Sequence, residues 1–359
     1  MTDTDSHQSL IEDSLRCKDI AKLRALAVHG FISNTFRRRV WPLLLGFEND
    51  DPYNSFNYDD DDDDQQSMLH AHIDTVSKDI ARSLCNYDIC QNWTEELLLQ
   101  QRTKLSWIIN KIMSKHAGFL HYIQGYHDLC SVFLIVCDYN RDVAFALCER
   151  VSLFHLREIL RPDLSVIIEV LDMLFPLLYQ VDAPVAAFLI RSNAKSFFAL
   201  SWVLTWFSHT FYRFQDVARV FDFLLASHPC MPLYIAAAFV IMHRDGLFRV
   251  ECEMSMIHQY FQGQTSTDLS ILLPLAAELF DKYPPYSLFR LCRPRFPTDC
   301  VLPVQDIFKL YKQKQPLAVS TLHELYEFPS QIRVNIIQVI GIVIIGVILW
   351  RISLYLAQL

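Results

Sequence analysis

Apolar residues recur every three or four positions along most of this chain, the spacing that places them on one face of a helix. Helical patterning starts near Ser9 and continues as helix after helix from Leu69 onward. Between Phe197 and Met242 almost every face is apolar, which indicates helices at the centre of a core. Because no alternating strand pattern is present, the predicted fold class is all-α. The clearest stripes are Ile73, Val76, Ile80 and Leu84; Leu98, Leu105, Ile108, Ile109 and Ile112; and Leu164, Ile167, Ile168, Leu171, Leu174 and Leu178.

Three stretches of the chain lack this periodicity. Residues 1–8 are acidic and polar, and we expect them to be disordered. Residues 47–67 contain six adjacent aspartates, which repel each other and cannot be buried, so a solvated loop is predicted there. Residues 291–333 follow a series of prolines and are predicted to be a weakly structured connector. One helical domain is therefore expected over residues 9–290.

The C-terminal segment at residues 334–356 is apolar over nearly its whole length. A helix needs about twenty apolar residues to cross a bilayer. This segment reaches that length if Arg351 extends to the interface and Asn335 and Gln338 are tolerated near the other one. The alternative is a helix that is buried or lies on a surface, but no polar face runs along the segment. We therefore predict a transmembrane tail anchor, with the preceding residues in the cytosol.

Composition excludes several classes of function. The formal net charge of −8 argues against nucleic-acid binding, because phosphate contacts need a basic surface. The 10 cysteines include no CxxC pair, so no structural zinc site is expected. His116, His121 and His127 are close in sequence, but their spacing matches no metal motif, and we predict no metal site. The acidic, polar N-terminus is not a secretory signal.

Two short motifs in the middle of the chain suggest a shared reaction. Asp79 and Arg82 lie three residues apart on a helical pattern, and Tyr122 and Gln124 lie on a loop further along. GTP hydrolysis needs a cation for the γ-phosphate charge and a carboxamide to orient the attacking water. Since the chain lacks a phosphate-binding GxxxxGK[ST] loop, these residues would act on a nucleotide held by another protein. The alternatives are a surface arginine paired with Asp79 and a loop-capping amide at Gln124.

The order of these and other motifs resembles the TBC domain of Rab GTPase-activating proteins. The resemblance covers about residues 35–285 and implies an all-helical, V-shaped domain of two subdomains. The first position of the Arg82 motif is Val76 where the family usually has Ile, a smaller β-branched residue that preserves packing. The matching motifs are Arg37-x-x-x-Trp41, Val76-x-x-Asp79-x-x-Arg82, Tyr122-x-Gln124-Gly125, Ser201-Trp202 with Trp206-Phe207, and Arg219-Val220-Phe221-Asp222-Phe223.

The resemblance also assigns roles to the four residues of the two motifs. It implies that Arg82 is an arginine finger and that Gln124 is a second finger that positions water in place of the GTPase's own glutamine. Asp79 would hold Arg82 or its helix, and Tyr122 would shape the loop that carries Gln124. The remaining matched residues are expected to be structural: Arg37, Trp41 and Trp202, with Arg219 and Asp222 forming a buried or half-buried pair.

The partner implied by the resemblance is a Rab-family small GTPase, which would bring its own GTP and magnesium, so this chain needs no cofactor. The run from Gln124 to Asp128 and the apolar tail most resemble the endoplasmic-reticulum members of the family, which implies a role in ER-to-Golgi traffic. Such a protein supplies catalytic residues in trans and is not itself a nucleotide hydrolase. The alternative is a catalytically idle Rab-binding or membrane scaffold protein, although it would not need both Arg82 and Gln124.

Overall fold

The computed structural model describes residues 3–47, 70–85 and 87–311, and most of these residues form helices. No strand forms in the described ranges, where an isolated β-bridge joins Ala117 and Leu120 within one loop. The prediction of an all-α fold is confirmed. The first helices are α1 (Asp3–Arg16), α2 (Ile20–Leu26), α3 (Asn34–Leu44), α4 (Ile73–Ala81), α5 (Glu95–Lys115), α6 (Tyr126–Val136), α7 (Arg141–Leu153), α8 (Ser165–Asp172) and α9 (Leu174–Val181).

The helices that follow build the centre of the core and close the domain. The longest of them, α16, packs along the most buried one, α13, in which every residue from Met231 to Val240 is buried. Helix α13 is therefore apolar on all sides, as the sequence pattern between Phe197 and Met242 predicts. These helices are α10 (Ala183–Arg191), α11 (Leu200–Leu204), α12 (Phe214–Leu225), α13 (Met231–Met242), α14 (Arg244–Leu247), α15 (Met254–Gln262), α16 (Leu269–Lys282), α17 (Pro285–Cys292) and α18 (Phe308–Tyr311).

The N-terminal helix corrects the prediction of disorder over residues 1–8, because α1 begins at Asp3. Ile11 and Leu15 bury one face of this helix. His7 ties the first turns to the domain, since its Nε2 atom lies 2.8 Å from the carbonyl oxygen of Gly30. The apolar anchors lie in the second half of the helix, so the polar composition of the first eight residues did not reveal it.

Two of the predicted apolar stripes do not correspond to single continuous helices in the structure. Val76, Ile80 and Leu84 are buried as predicted, but α4 ends at Ala81 and Leu84 has a φ of 61° outside the helix. The stripe from Leu164 to Leu178 is divided into α8 and α9, which meet at Met173. Periodicity therefore located the buried positions correctly but not the points where the helices stop.

Asp222 is the polar centre of the core, and its partner differs from the one predicted. Its carboxylate is fully buried and accepts hydrogen bonds from Arg37 Nε at 3.0 Å, Trp41 Nε1 at 2.7 Å and the backbone N–H of Phe31 at 2.9 Å. The ion pair therefore joins α12 to α3, and the predicted pairing with Arg219 is wrong. Burial raises the pKa of Asp222, while Arg37 and the three hydrogen-bond donors oppose that shift.

The segment at residues 299–311 corrects the prediction of a weakly structured connector, as far as it is described. Its apolar side chains are buried, and the backbone N–H of Val301 donates to Glu158 Oε1 at 2.9 Å. Asp299 pairs with Arg157 and Arg161 at 3.0 and 2.9 Å. Continuous packing of this kind makes residues 299–311 part of the domain. The buried members are Cys300, Val301, Leu302, Val304, Ile307, Leu310 and Tyr311.

The end of this segment fits against a glycine. Gly46 has a φ of 78°, and a Cβ atom added to it would lie 2.6 Å from Tyr311 Cβ. The Tyr311 ring stacks on His155, and its backbone carbonyl accepts a hydrogen bond from Arg150. Only glycine combines this backbone conformation with such a close approach.

Several predictions concern residues outside the described ranges. These are nearly all of the acidic loop at 47–67, the rest of the connector at 312–333 and the transmembrane segment at 334–356. Of the helices that are described, none is long and apolar enough to cross a bilayer. All of these helices belong to one compact unit. The V-shaped arrangement of two subdomains stays a prediction.

Candidate functional site

Arg82 lies just past the C-terminal end of α4, where the chain leaves the helix. Its side chain is 58% exposed, and its Nη2 atom lies 2.5 Å from Asp79 Oδ1. The next residue, Ser83, is fully buried, and its carbonyl accepts hydrogen bonds from Arg102 Nε and Nη2 at 3.2 and 2.9 Å. Because the backbone behind Arg82 is fixed in this way, the guanidinium is presented to solvent from a rigid base.

Asp79 connects this arginine to the loop that precedes α6. Its side chain is only 4% exposed. Its Oδ2 atom accepts a hydrogen bond of 2.7 Å from the hydroxyl of Tyr122 and lies 3.5 Å from His127 Nδ1. Burial raises the pKa of Tyr122, and the hydrogen bond to Asp79 acts in the same direction, so the phenol stays protonated and donates.

Gln124 lies at the exposed turn of this loop, two residues after the buried Tyr122. The turn depends on Gly125, which has a φ of 101°. A Cβ atom at this position would lie 2.8 Å from Thr205 Cγ2, so glycine is required both by conformation and by space. Asp79 therefore contacts both Arg82 and Tyr122, and Gln124 follows Tyr122 by two residues on the exposed turn of the loop. The roles of these four residues stay predictions.

Two histidines and a second buried aspartate extend the site, and sequence reasoning did not assign them to it. Asp128 Oδ2 lies 3.2 Å from His127 Nε2 and 2.8 Å from His209 Nε2. His127 is buried, and its Nδ1 atom lies 3.1 Å from the Tyr122 hydroxyl oxygen. His209 arrives from the segment between α11 and α12, and nothing in its local sequence distinguishes it from an ordinary surface histidine.

The two histidines have opposite pKa shifts. Burial lowers the pKa of His127, with Asp128 and Asp79 opposing the shift, so its imidazole is neutral near pH 7. His209 is 45% exposed, and its close contact with the Asp128 carboxylate raises its pKa. The site thus places Arg82 beside Asp79 and His209 beside Asp128, with neutral His127 between the two carboxylates.

Metal-ligating side chains do not cluster in the part of the chain that the structure describes: no group of three His, Cys, Asp or Glu residues there could hold an ion. His116, from the loop before Gln124, lies 2.7 Å from Glu149 Oε1 instead. All the cysteines are free thiols. Arg82, Gln124 and His209 are the exposed polar side chains of the site.

Residues 34–248, more than half of the 359-residue chain, match the family described as the Rab-GTPase-TBC domain. The chain belongs to this family. The matched range of the TBC domain contains the two residues predicted to be catalytic, Arg82 and Gln124, their predicted supporting residues Asp79 and Tyr122, and also His127, Asp128 and His209. The N-terminal helix α1 and the packed segment at residues 299–311 lie outside it.

Two named relatives of this TBC-domain chain differ in their sequence identity to it. Human TBC1 domain family member 20 is 33% identical over 290 residues, which cover 79% of this chain and 68% of the human protein. The GTPase-activating protein gyp10 of Schizosaccharomyces pombe is 26% identical over 235 residues, which cover 65% of this chain and 60% of that protein. The expected family is therefore confirmed, with the human protein the more similar of these two.

Solved structures confirm the helical fold of the TBC domain. The crystal structure of the Ypt/Rab-GAP domain of Gyp1p superimposes with a TM-score of 0.61 at 16% identity, and the match covers 79% of this chain and all of that one. The Chlamydomonas flagellar RabGAP TBC domain gives a TM-score of 0.55 at 16% identity, covering 73% of this chain and 84% of that one. At this identity the likeness shows the fold alone.

Proposed function

We propose that this protein is a GTPase-activating protein for a Rab-family small GTPase and that Arg82 and Gln124 are its two catalytic side chains. One observation carries the proposal. The buried hydrogen bond between Asp79 and Tyr122 joins the helix end that presents Arg82 to the loop that presents Gln124. The guanidinium of Arg82 and the carboxamide of Gln124 are both exposed, and this link supports their acting together at a nucleotide site on another protein.

The two side chains would divide the work of phosphoryl transfer to water. Arg82 would neutralise charge that develops on the γ-phosphate oxygens, with its planar fork spanning two of them. Gln124 would orient the attacking water, because a carboxamide both donates and accepts hydrogen bonds. GTP and magnesium would arrive with the GTPase. Asp79 and Tyr122 would act through these residues as positioning groups.

Family membership supports the proposal. The fission-yeast relative is named a GTPase-activating protein, and the superimposable Gyp1p domain is titled a Ypt/Rab-GAP domain. The test is a panel of purified, GTP-loaded Rabs mixed with the full-length protein in detergent micelles, with phosphate release measured in a single turnover. We expect strong acceleration of one Rab or a few related ones, and none with GTPases of the Ras and Arf families.

The matched control is the double variant R82A/Q124A, which should bind the same Rab without accelerating it. If the wild-type protein binds a GTP-loaded Rab but leaves its hydrolysis rate unchanged across the panel, the catalytic proposal is wrong. A Rab-binding or membrane scaffold would then be the function.

We also propose that residues 334–356 anchor the protein in the endoplasmic-reticulum membrane and that the Rab works in ER-to-Golgi traffic. The apolar run of the sequence supports the anchor, and the resemblance to endoplasmic-reticulum members of the family supports the location. Deleting residues 334–359 should release the protein from carbonate-washed membranes into the soluble fraction. The same deletion should lower potency in cells more than in solution, because an anchor raises the effective concentration beside the Rab.

The control for this deletion replaces residues 334–356 by an unrelated tail-anchor sequence, which should restore resistance to carbonate. If the truncated protein stays in the carbonate-resistant membrane fraction, the anchor lies elsewhere and this part of the proposal fails. Immunofluorescence together with an endoplasmic-reticulum marker tests the location of the protein independently of its anchoring.

A further inference from the structure

His209 lies on a segment that is fixed against the loop that carries Gln124. Trp206 and Phe207, just before it, are buried although both have positive φ values of 49° and 62°. Thr205 at the start of the segment contacts Gly125, the residue after Gln124. The strained, buried backbone before His209 therefore holds its imidazole in a defined place, with the side chain 45% exposed to solvent.

The charges around His209 come from two neighbouring elements. Asp128 of α6 lies 2.8 Å away and attracts the protonated imidazole, whereas Arg82 at the end of α4 is close enough to repel it. Asp128 also contacts the neutral ring of His127 at 3.2 Å. Since a neutral imidazole has one ring proton, His127 can donate toward Asp128 or toward the Tyr122 side, but not to both. The negative charge of the Asp128 carboxylate is thus fully compensated only when His209 is protonated.

Resting on the proposed function, we infer that protonated His209, held by the buried carboxylate of Asp128, is a second cation beside Arg82 that acts on the γ-phosphate of the bound GTPase. With His209 charged, each buried carboxylate has one cation, and Arg82 is held by Asp79 alone. Without that charge, two carboxylates face one arginine, and the positive potential at the phosphate falls. His209 is in this sense an electrostatic partner of the finger.

The inference gives GAP activity a pH dependence with a definite sign. The pKa of His209 is raised from the ordinary value of 6.5, mainly by its 2.8 Å contact with the Asp128 carboxylate. The cation is therefore fully present below about pH 6.5 and is lost as the pH rises through the raised pKa. The stability that the ion pair adds to the fold follows the same window. Stimulation of hydrolysis, corrected for the Rab's intrinsic rate at each pH, should fall as the pH rises above neutrality.

The first experiment measures the titration of His209 in the protein alone. Histidine Cε1–H resonances of the full-length protein in micelles are followed by NMR from pH 5 to 9, and His209 is assigned by its absence in H209Q. A midpoint above about 6.5 is expected, falling when Asp128 is replaced by Asn. A wild-type midpoint at or below 6.5 overturns the inference, and this result does not depend on any Rab.

The second experiment measures kcat/KM for stimulation of the best Rab between pH 6 and 8.5. H209Q should lose about three- to tenfold at pH 6 and less at pH 8.5, the scale of one charge near a partly exposed site. H209K should keep its activity across the range, because lysine stays charged. H258Q, with the same substitution on α15, should match the wild-type profile.

The outcomes separate this inference from the proposed function. If H209Q matches the wild type at every pH while Arg82→Ala abolishes stimulation, His209 has no role and the two-residue proposal stands. If the wild-type protein stimulates no Rab at any pH, the proposed function fails and this inference fails with it.

Discussion

Replacing Arg82 by Ala should abolish catalysis without unfolding the protein. The expected contribution of this side chain to transition-state stabilisation is much larger than its contribution to the free energy of unfolding. An arginine finger contributes a factor of about 10³–10⁵ to hydrolysis, which corresponds to about 4–7 kcal/mol of transition-state stabilisation. In the free protein the same side chain is 58% exposed and contacts Asp79. An ion pair this exposed contributes about 1 kcal/mol or less to the free energy of unfolding.

Asp79 limits the cost of the substitution to stability. After the loss of Arg82 it still accepts the hydrogen bond from Tyr122 at 2.7 Å and lies 3.5 Å from His127 Nδ1. A domain with a typical stability of about 5–15 kcal/mol therefore stays folded. Arg82→Lys should recover little activity, because an ammonium keeps the charge but loses the planar fork.

The assay is single-turnover GTP hydrolysis on the best Rab, with thermal unfolding of each variant measured in the same buffer. Lys78→Ala is the matched control, since it removes an exposed cation from the same helix one turn earlier. Rab binding should persist within about an order of magnitude, because the contacts of the finger strengthen mainly in the transition state. Hydrolysis within about twofold of wild type in a folded Arg82→Ala variant would refute the finger assignment. A collapse of the melting temperature would refute the energy argument.

Gln124→Ala should lower the maximal rate of hydrolysis more than it weakens Rab binding. The wild-type protein should still accelerate a Rab whose own catalytic glutamine is mutated. Loss of all stimulation on that mutant Rab would mean that the GTPase's glutamine positions the water. Asp222→Asn should lower the free energy of unfolding, measured in urea, by about 3–5 kcal/mol because it leaves the buried Arg37 unpaired. Asp216→Asn, which weakens a surface contact of 3.8 Å to Arg213 and a further attraction to Arg219, should cost about 1 kcal/mol or less. Equal losses in the two variants would contradict the buried-pair argument.

Sequence reasoning predicted the parts of the site whose residues lie close together in the sequence. Asp79 and Arg82 lie one helical turn apart, and Tyr122 and Gln124 flank one residue, so each pair is visible as a short motif. Their mutual contact depends on a hydrogen bond between residues 43 positions apart, which only the order of motifs within a known family suggested.

The parts that were missed depend on distant pairing. His209 reaches Asp128 from a segment that was recognised only for its aromatic residues, and Asp222 pairs with Arg37 across 185 positions rather than with nearby Arg219. Spacing predicts neighbours along one helix but not which helices pack together. The division of one apolar stripe at Met173 was missed although Pro176, three residues later in the first turn of α9, is the kind of residue that marks a helix boundary.

The packing of Tyr311 against Gly46 makes residues 299–311 part of the folded domain. A fragment cut at residue 248, where the family match ends, would lose α15 to α18 and would leave the space beside Gly46 and His155 open to water. A fragment cut near residue 290 would still expose the apolar surface that residues 300–311 cover. Fragments made for crystallisation or assay must therefore extend at least through Tyr311, about sixty residues past the end of the family match, to keep the surface that carries Arg82 and Gln124 on an intact support.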